Sequence, residues 1–275
     1  NGANLLASTY IGGTGTDGLN ATSLNYNYGD QFRGEIILDD LGNVYVASTT
    51  QSSDFPTLLG PQNSLNGSQD AVVFKMPPTL DVLIWSGYFG GSGDETGNSV
   101  QVSSTGDIYF VGGTTSSSLP FNSGYDLTFD GGIADGYVAK LNGTNGSIIS
   151  GSYMGLNEYD QAYCVQLDLN DDVYVLGQTE SNWPITPGCY GNPNSGLFIR
   201  KFNNGLSNIF WSTTIGAGSG HVEISPTAFL VSDCYDIYLS GWGGQINVSN
   251  SQAIFSSSNG FPVTFDAYQS ATNGS

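Results

Sequence analysis

Basic residues are scarce in this chain. Five Lys and Arg stand against 24 Asp and Glu, a formal charge of -19 over 275 residues. Nucleic-acid binding rests on clustered Lys and Arg, so a phosphate-backbone partner is excluded. Histidine is rarer still. His221 is the only one, set in a Gly/Ser loop, so the base roles that usually fall to imidazole have a single candidate. Cysteine occurs three times, at 164, 189 and 234. An odd count without Cys-x-x-Cys spacing argues against a zinc site or a disulfide framework. Cys164 lies in an apolar strand pattern and reads as a small core residue. Cys189 and Cys234 lie in connections, where one bridge between them stays open. No apolar run approaches the roughly 20 residues that span a bilayer. No amphipathic helix pattern and no signal peptide are found, so the chain reads as mature or as a fragment.

What is abundant is glycine (39), tyrosine (16) and phenylalanine (14). Gly-rich turns between aromatic and β-branched runs point to an all-β chain. One stretch, Gly106-Asp107-Ile108-Tyr109-Phe110-Val111-Gly112-Gly113, is written four times. Its tyrosines, Tyr45, Tyr109, Tyr174 and Tyr238, fall 64, 65 and 64 residues apart. A fixed period of this length marks repeated supersecondary units. An apolar run precedes each tyrosine strand. After the first three come a long polar connection, a third strand (Ala71–Lys75, Gly136–Lys140, Leu197–Lys201) and a fourth (Leu83–Tyr88, Ile148–Tyr153, Ile209–Thr213).

Four short antiparallel strands per unit, here lettered A to D, are the sequence form of a β-propeller blade. The expected organisation is a single propeller region over 1–275. It holds blades at about 32–90, 97–155 and 161–216, a partial blade at 225–275 and a lone outer strand at 5–11. The ring is therefore expected to be incomplete, with the missing C strand supplied from beyond Ser275.

Individual phrases carry a resemblance. Ser8-Thr9-Tyr10-Ile11-Gly12-Gly13, Gly42-Asn43-Val44-Tyr45-Val46, Asp54-Phe55-Pro56-Thr57 and Asp70-Ala71-Val72-Val73-Phe74-Lys75 are similar to the repeat of the bacterial seven-bladed beta-propeller (SBBP) family. Cys234–Gly244 and Phe261–Ser270 resemble very large secreted Bacteroidota proteins that join this repeat to PKD-like domains and a gliding-motility-associated sorting domain. The resemblance implies a propeller, type IX secretion, display at the cell surface and no catalytic residues. Its implied partners are other domains of the same protein, secretion components, surface proteins or glycans.

Several motifs invite chemistry. Gly12-Gly13-Thr14-Gly15-Thr16-Asp17 fits a calcium nonapeptide, but that fold needs tandem copies. A Gly-rich D-to-A crossing is the plainer reading. Asp39, Asp40, Asp107, Asp171, Asp172, Asp233 and Asp236 crowd the A-to-B turns. There they could hold calcium or simply bond their own backbone. No other cofactor is indicated and no metal ligand set is assigned. Lys75, Lys140 and Lys201 occupy one repeated strand position, which suggests a structural role with each ammonium on an oxygen. The first D-to-A crossing is longer than the next by 14 residues, counted from Tyr10–Tyr45 (35) against Tyr88–Tyr109 (21). It carries Asn20, Tyr26 and Tyr28, whose amide and rings suit carbohydrate or protein contact. These are the candidate binding residues, on the face that collects the B-to-C and D-to-A loops. Replacing Asn20–Tyr28 with a short linker is expected to leave the fold intact. The reading is a non-enzymatic binding or scaffold module of an exported surface protein, in adhesion or gliding. A polysaccharide-acting enzyme domain and a structural spacer are the alternatives.

Overall fold

In a computed structural model, residues 3–243, 247–249, 252–254 and 258–271 are described. They are all-β apart from one 3-10 turn, Asp30–Phe32. Three four-stranded antiparallel sheets follow one another along the chain. The first holds β1 (Glu35–Leu38), β2 (Val44–Thr50), β3 (Asp70–Met76) and β4 (Trp85–Phe89). The second holds β5 (Ser99–Val102), β6 (Ile108–Thr114), β7 (Asp135–Leu141) and β8 (Ile148–Met154). The third holds β9 (Asp160–Leu167), β10 (Val173–Thr179), β11 (Leu197–Phe202) and β12 (Ile209–Ile215). A two-stranded sheet follows, β13 (Ser225–Val231) with β14 (Ile237–Trp242), while β15 (Asn247–Ser249) and β16 (Gln252–Ile254) pair with each other.

Each sheet packs face to face on the next. Tyr45, Trp85 and Phe89 of the first share a core with Phe110, Tyr137 and Tyr153 of the second. Tyr109 and Val138 of the second meet Val175 and Phe198 of the third. Tyr174 and Ile199 of the third meet Phe229 and Val231 of β13. The alternation of a strand therefore feeds two cores at once, which is why both faces of β6 are apolar.

The repeated tyrosine and lysine face each other across the second and third strands, in the pairs Tyr45–Lys75, Tyr109–Lys140 and Tyr174–Lys201. Each ammonium lies over its ring, at 4.8, 5.3 and 4.9 Å from the centroid. Each also finds an oxygen: Lys75 the Gly143 carbonyl at 3.3 Å, Lys140 the Asp107 carboxylate at 3.1 Å, Lys201 the carboxylates of Asp168 and Asp172 at 2.8 and 3.0 Å. A partly desolvated cation over an aromatic face is a favourable contact. Tyr238 departs from the other three. It is 57% exposed where they are at most 2%, because no third strand covers β14 among the described residues. Residues 5–11, expected as a lone outer strand, form no strand, and Leu5, Leu6 and Tyr10 stand exposed. The strand they would pair with is likewise not among the described residues. Cys164, Cys189 and Cys234 are all free thiols, so the bridge left open between Cys189 and Cys234 is not formed.

Long connections shield the outer edges of the full sheets. Leu58 and Ser86 exchange backbone hydrogen bonds, and Tyr88 N–H donates to the Gln62 carbonyl. Gly151 and Tyr153 donate in the same way to Ser123 and Asp126. An unpaired strand edge invites association, so the length of these B-to-C connections has a structural use.

The Gly-rich crossings also acquire a physical reason. Each ends in a carboxylate that turns back to accept a backbone N–H of its own loop: Asp17 from Gly13, Glu95 from Gly91, Asp160 from Leu156, Glu223 from Ala217. In the first three, a hydroxyl at or two residues past the end of the neighbouring second strand binds it too: Thr50 to Asp17, Thr114 to Glu95, Ser181 to Asp160. A side chain at Gly90 would place its Cβ 2.3 Å from the Glu95 carboxylate, and one at Gly216 would sit 1.8 Å from that of Glu223. Two acids of the A-to-B turns serve their own turns, while Asp171 accepts from Ser104 N–H and hydroxyl in the turn of the second sheet. Asp39 accepts from Leu41 N, Asn43 N and the Tyr45 hydroxyl, and Asp168 from Asn170 N, Asp172 N and the Tyr174 hydroxyl.

Burial pushes several carboxyls up, Asp30, Asp70, Asp94 and Asp130 among them, and Asp160 to about 6, Glu95 to about 7 and Asp135 to about 8. Unfolded carboxyls titrate near 4, so the folded state holds these protons more tightly than the unfolded one. Their stabilising contribution is complete below about pH 4 and is lost as the pH rises through the folded values. Asp39 and Asp168, held below the usual range by hydrogen bonds against some desolvation, act in the opposite sense only at more acid pH. The midpoint of a thermal melt is therefore expected to fall between pH 5 and pH 8.5. Asp135→Asn should flatten the upper part of that fall. A midpoint that climbs across the window would contradict the assignment.

Candidate binding site

The long first crossing is built around one buried carboxylate. Asp30 accepts from the backbone N–H groups of Tyr26 and Asn27, from the Tyr163 hydroxyl at 2.9 Å and from Arg33 Nε at 2.9 Å. Gly29 precedes the 3-10 turn with φ 84°, a left-handed position that glycine adopts without penalty. The Arg33 guanidinium lies 4.0 Å from the Tyr163 ring centroid. It also donates to the Pro226 carbonyl at 2.8 Å and to the Ser225 hydroxyl at 2.7 Å. Arg33 thus ties the start of β1 to β9 and β13. The planar fork of arginine suits this better than a lysine would, because it satisfies three acceptors while stacking on a ring.

The expected binding residues lie along this crossing in three different settings. Asn20 is buried, taking Gln69 Nε2 at 3.0 Å and donating to the Asp30 carbonyl. Tyr26 stacks on Tyr159 at 3.6 Å and donates its hydroxyl to Glu180 at 2.7 Å. Burial and that carboxylate push the Tyr26 phenol well up. Leu24 fills a small core with Ala134, Tyr159 and Val222. The segment therefore touches all four sheets or their loops, and its replacement by a linker would open Asn20, Leu24 and Tyr159 contacts. The intact fold expected from the sequence does not agree with that packing.

Tyr28 alone of the three offers an exposed ring. It is 48% exposed and stacks on Trp242 at 4.2 Å, and Trp242 is itself 37% exposed. Phe32 is 73% exposed. Tyr28, Phe32 and Arg33 line a cavity of about 490 Å³ together with residues of all four first strands, among them Glu35, Ser99, Gln166 and Thr227. The cavity wall mixes apolar and polar surface, with little free charge. Arg33 is matched by Asp30, and Glu35 accepts from the Ser99 hydroxyl and Val100 N–H. The Cys164 thiol there is pushed up to about 11 by burial. Hydroxyls, amides and a partly exposed aromatic pair favour a neutral polar ligand with an apolar face.

His221 lies off this cavity, 77% exposed and 3.7 Å from Glu180. Among the described residues, no three His, Cys, Asp or Glu side chains converge as metal ligands would. Sequence reasoning did not select Phe32, Arg33 or Trp242. One signal for Arg33 was available: with five basic residues in the chain and three at the repeated lysine position, only Arg33 and Arg200 needed a separate explanation. Compared with known proteins, the chain matches no family model and no curated relative.

Proposed function

We propose that the chain is a non-enzymatic binding module of an exported surface protein, and that it binds a glycan through Tyr28 and Trp242. The single observation that carries this reading is the stacked, part-exposed Tyr28–Trp242 pair, whose Tyr28 also lines a cavity of about 490 Å³. Aromatic faces cover the apolar face of a sugar ring, and nearby hydroxyls and amides take its hydroxyls. The four sheets are read as propeller blades about one axis, supported by the cavity that all four first strands line. The SBBP-like phrases support export, type IX secretion and attachment to further domains of a large protein. No helix among the described residues is long and apolar enough to cross a membrane. The reading requires no cofactor.

The test is an oligosaccharide array probed with the intact protein, followed by titration of the best binder. Tyr28→Ala and Trp242→Ala should each weaken binding about tenfold, the effect of losing one stacking contact of 1–1.5 kcal/mol. The melt should shift little, because both rings are partly exposed. Unchanged affinity in both variants would remove the pair from the site.

A further inference from the structure

One position of the repeat lines the cavity from all four sheets. Glu35, Ser99, Cys164 and Ala228 each pair with the residue two places after the repeated tyrosine, which is Ala47, Val111, Leu176 and Ser240 in turn. All four lie in the wall of the cavity that Tyr28 lines. Their side chains are a carboxylate, a hydroxyl, a thiol and a methyl, so the repeat does not itself call for an acid there.

Glu35 is half-buried, and one of its two oxygens is occupied. Oε2 accepts from the Ser99 hydroxyl at 2.6 Å and from Val100 N–H at 2.8 Å, which ties β1 to β5. Oε1 has no donor among the described residues. No basic side chain of the described residues makes an ion pair with Glu35. Arg33 is paired with Asp30 and donates onward to Pro226 and Ser225. Lys75, Lys140 and Lys201 sit over their own tyrosines, and Arg200 lies over the Trp183 ring at 4.3 Å. Asn98, in the same wall, adds potential of the same sign. Its Nδ2 donates to the Ala162 carbonyl at 2.8 Å, while its Oδ1 is buried without a donor. An unneutralised carboxylate acts more strongly in a half-buried wall than in open water, because the effective dielectric is lower.

We infer that the site selects a glycan bearing an unacetylated, protonated amine, with the ammonium on Glu35 and the sugar ring on Tyr28. The rest of the wall suits a neutral polar body with an apolar face. Glu35 singles out one point on that body where a cation fits. An ammonium brings three donors and the opposite charge. An acetamide brings one N–H and a carbonyl oxygen that the carboxylate repels, and a hydroxyl brings one donor and no charge. The inference rests on the glycan reading above and adds the class of sugar to it.

The experiment is a titration of the intact protein with three oligosaccharides of equal length: chitosan, its N-acetylated counterpart chitin, and the cello-oligosaccharide. They share ring and linkage and differ in one substituent. The chitosan form should bind at least about tenfold tighter than the other two, the effect of one hydrogen bond to a charged group. Glu35→Gln should erase that preference and leave the affinity for the other two unchanged. Its amide oxygen still accepts from Ser99 and Val100, so β1 stays on β5 and the melt should hold. Glu35→Asp, which keeps the charge, should retain part of the preference. Tyr28→Ala should weaken all three alike. The formal charge of -19 attracts any cation, so a preference that survives Glu35→Gln belongs to the overall field and overturns the inference. Equal affinity for the three overturns it too, as does failure of all three to bind. The glycan reading is judged separately, on the array: a neutral binder that Tyr28→Ala and Trp242→Ala weaken keeps that reading while the amine is rejected.

Discussion

Tyr109→Ala is expected to cost about 3–5 kcal/mol in a reversible melt, the range for truncating a large buried aromatic. The ring is 1% exposed and fills the core between the second and third sheets with Val111, Val175 and Phe202. Its hydroxyl donates to the Asn204 carbonyl at 2.6 Å, across to the hairpin of the third sheet. The Lys140 ammonium sits 5.3 Å from its centroid. Truncation removes all three contacts and leaves a void between two rigid sheets that cannot collapse onto it. Tyr238→Ala supplies the control within the same repeat. That ring is 57% exposed, so its loss should shift the melt by less than about 1 kcal/mol, as for most surface substitutions.

Asp30→Ala should be comparably damaging, at about 3–5 kcal/mol, because it leaves the Arg33 charge largely buried without its partner. The Asp30 side chain is fully buried and that of Arg33 is 14% exposed. The carboxylate also holds the Tyr163 hydroxyl and the N–H groups of Tyr26 and Asn27, so four donors lose their acceptor at once. Arg33→Met in the same chain should recover part of the loss, since the orphaned charge goes with it. A double variant as unstable as the sum of the two singles would show that Asp30 acts through the loop N–H groups and not through Arg33.

The repeat was legible because its signals are local. Gly42 and Gly106 mark the left-handed turn before β2 and β6, with φ 78° and 86°. Alternation then places Tyr45 and Tyr109 alike, and the strand bounds follow within a few residues. The same turn position is filled by Asp171 and Tyr235, at φ 60° and 66°, yet the surrounding strand pattern still identified those copies. The B-to-C edge cover and the crossing carboxylates were not legible. Asp17, Glu95 and Asp160 look like loop acids in sequence, and only the folded chain brings them against Thr50, Thr114 and Ser181. The site was half legible. An insertion in one crossing singled out Asn20, Tyr26 and Tyr28, but whether a ring points outward is decided by its partners. Tyr159 and Glu180 hold Tyr26 inward, while Trp242, some 214 residues from Tyr28 in sequence, holds Tyr28 at the surface.

The central claim is that ligand is bound on the face where Tyr28 and Trp242 meet. Hydrogen exchange of the intact protein, with and without a saturating oligosaccharide drawn from the array, tests it most directly. The account predicts slower exchange in peptides covering residues 26–33 and 239–243, with little change elsewhere. Slowing confined to the opposite face, at the turns 39–43 and 103–107 and the hairpin 142–147, would contradict it.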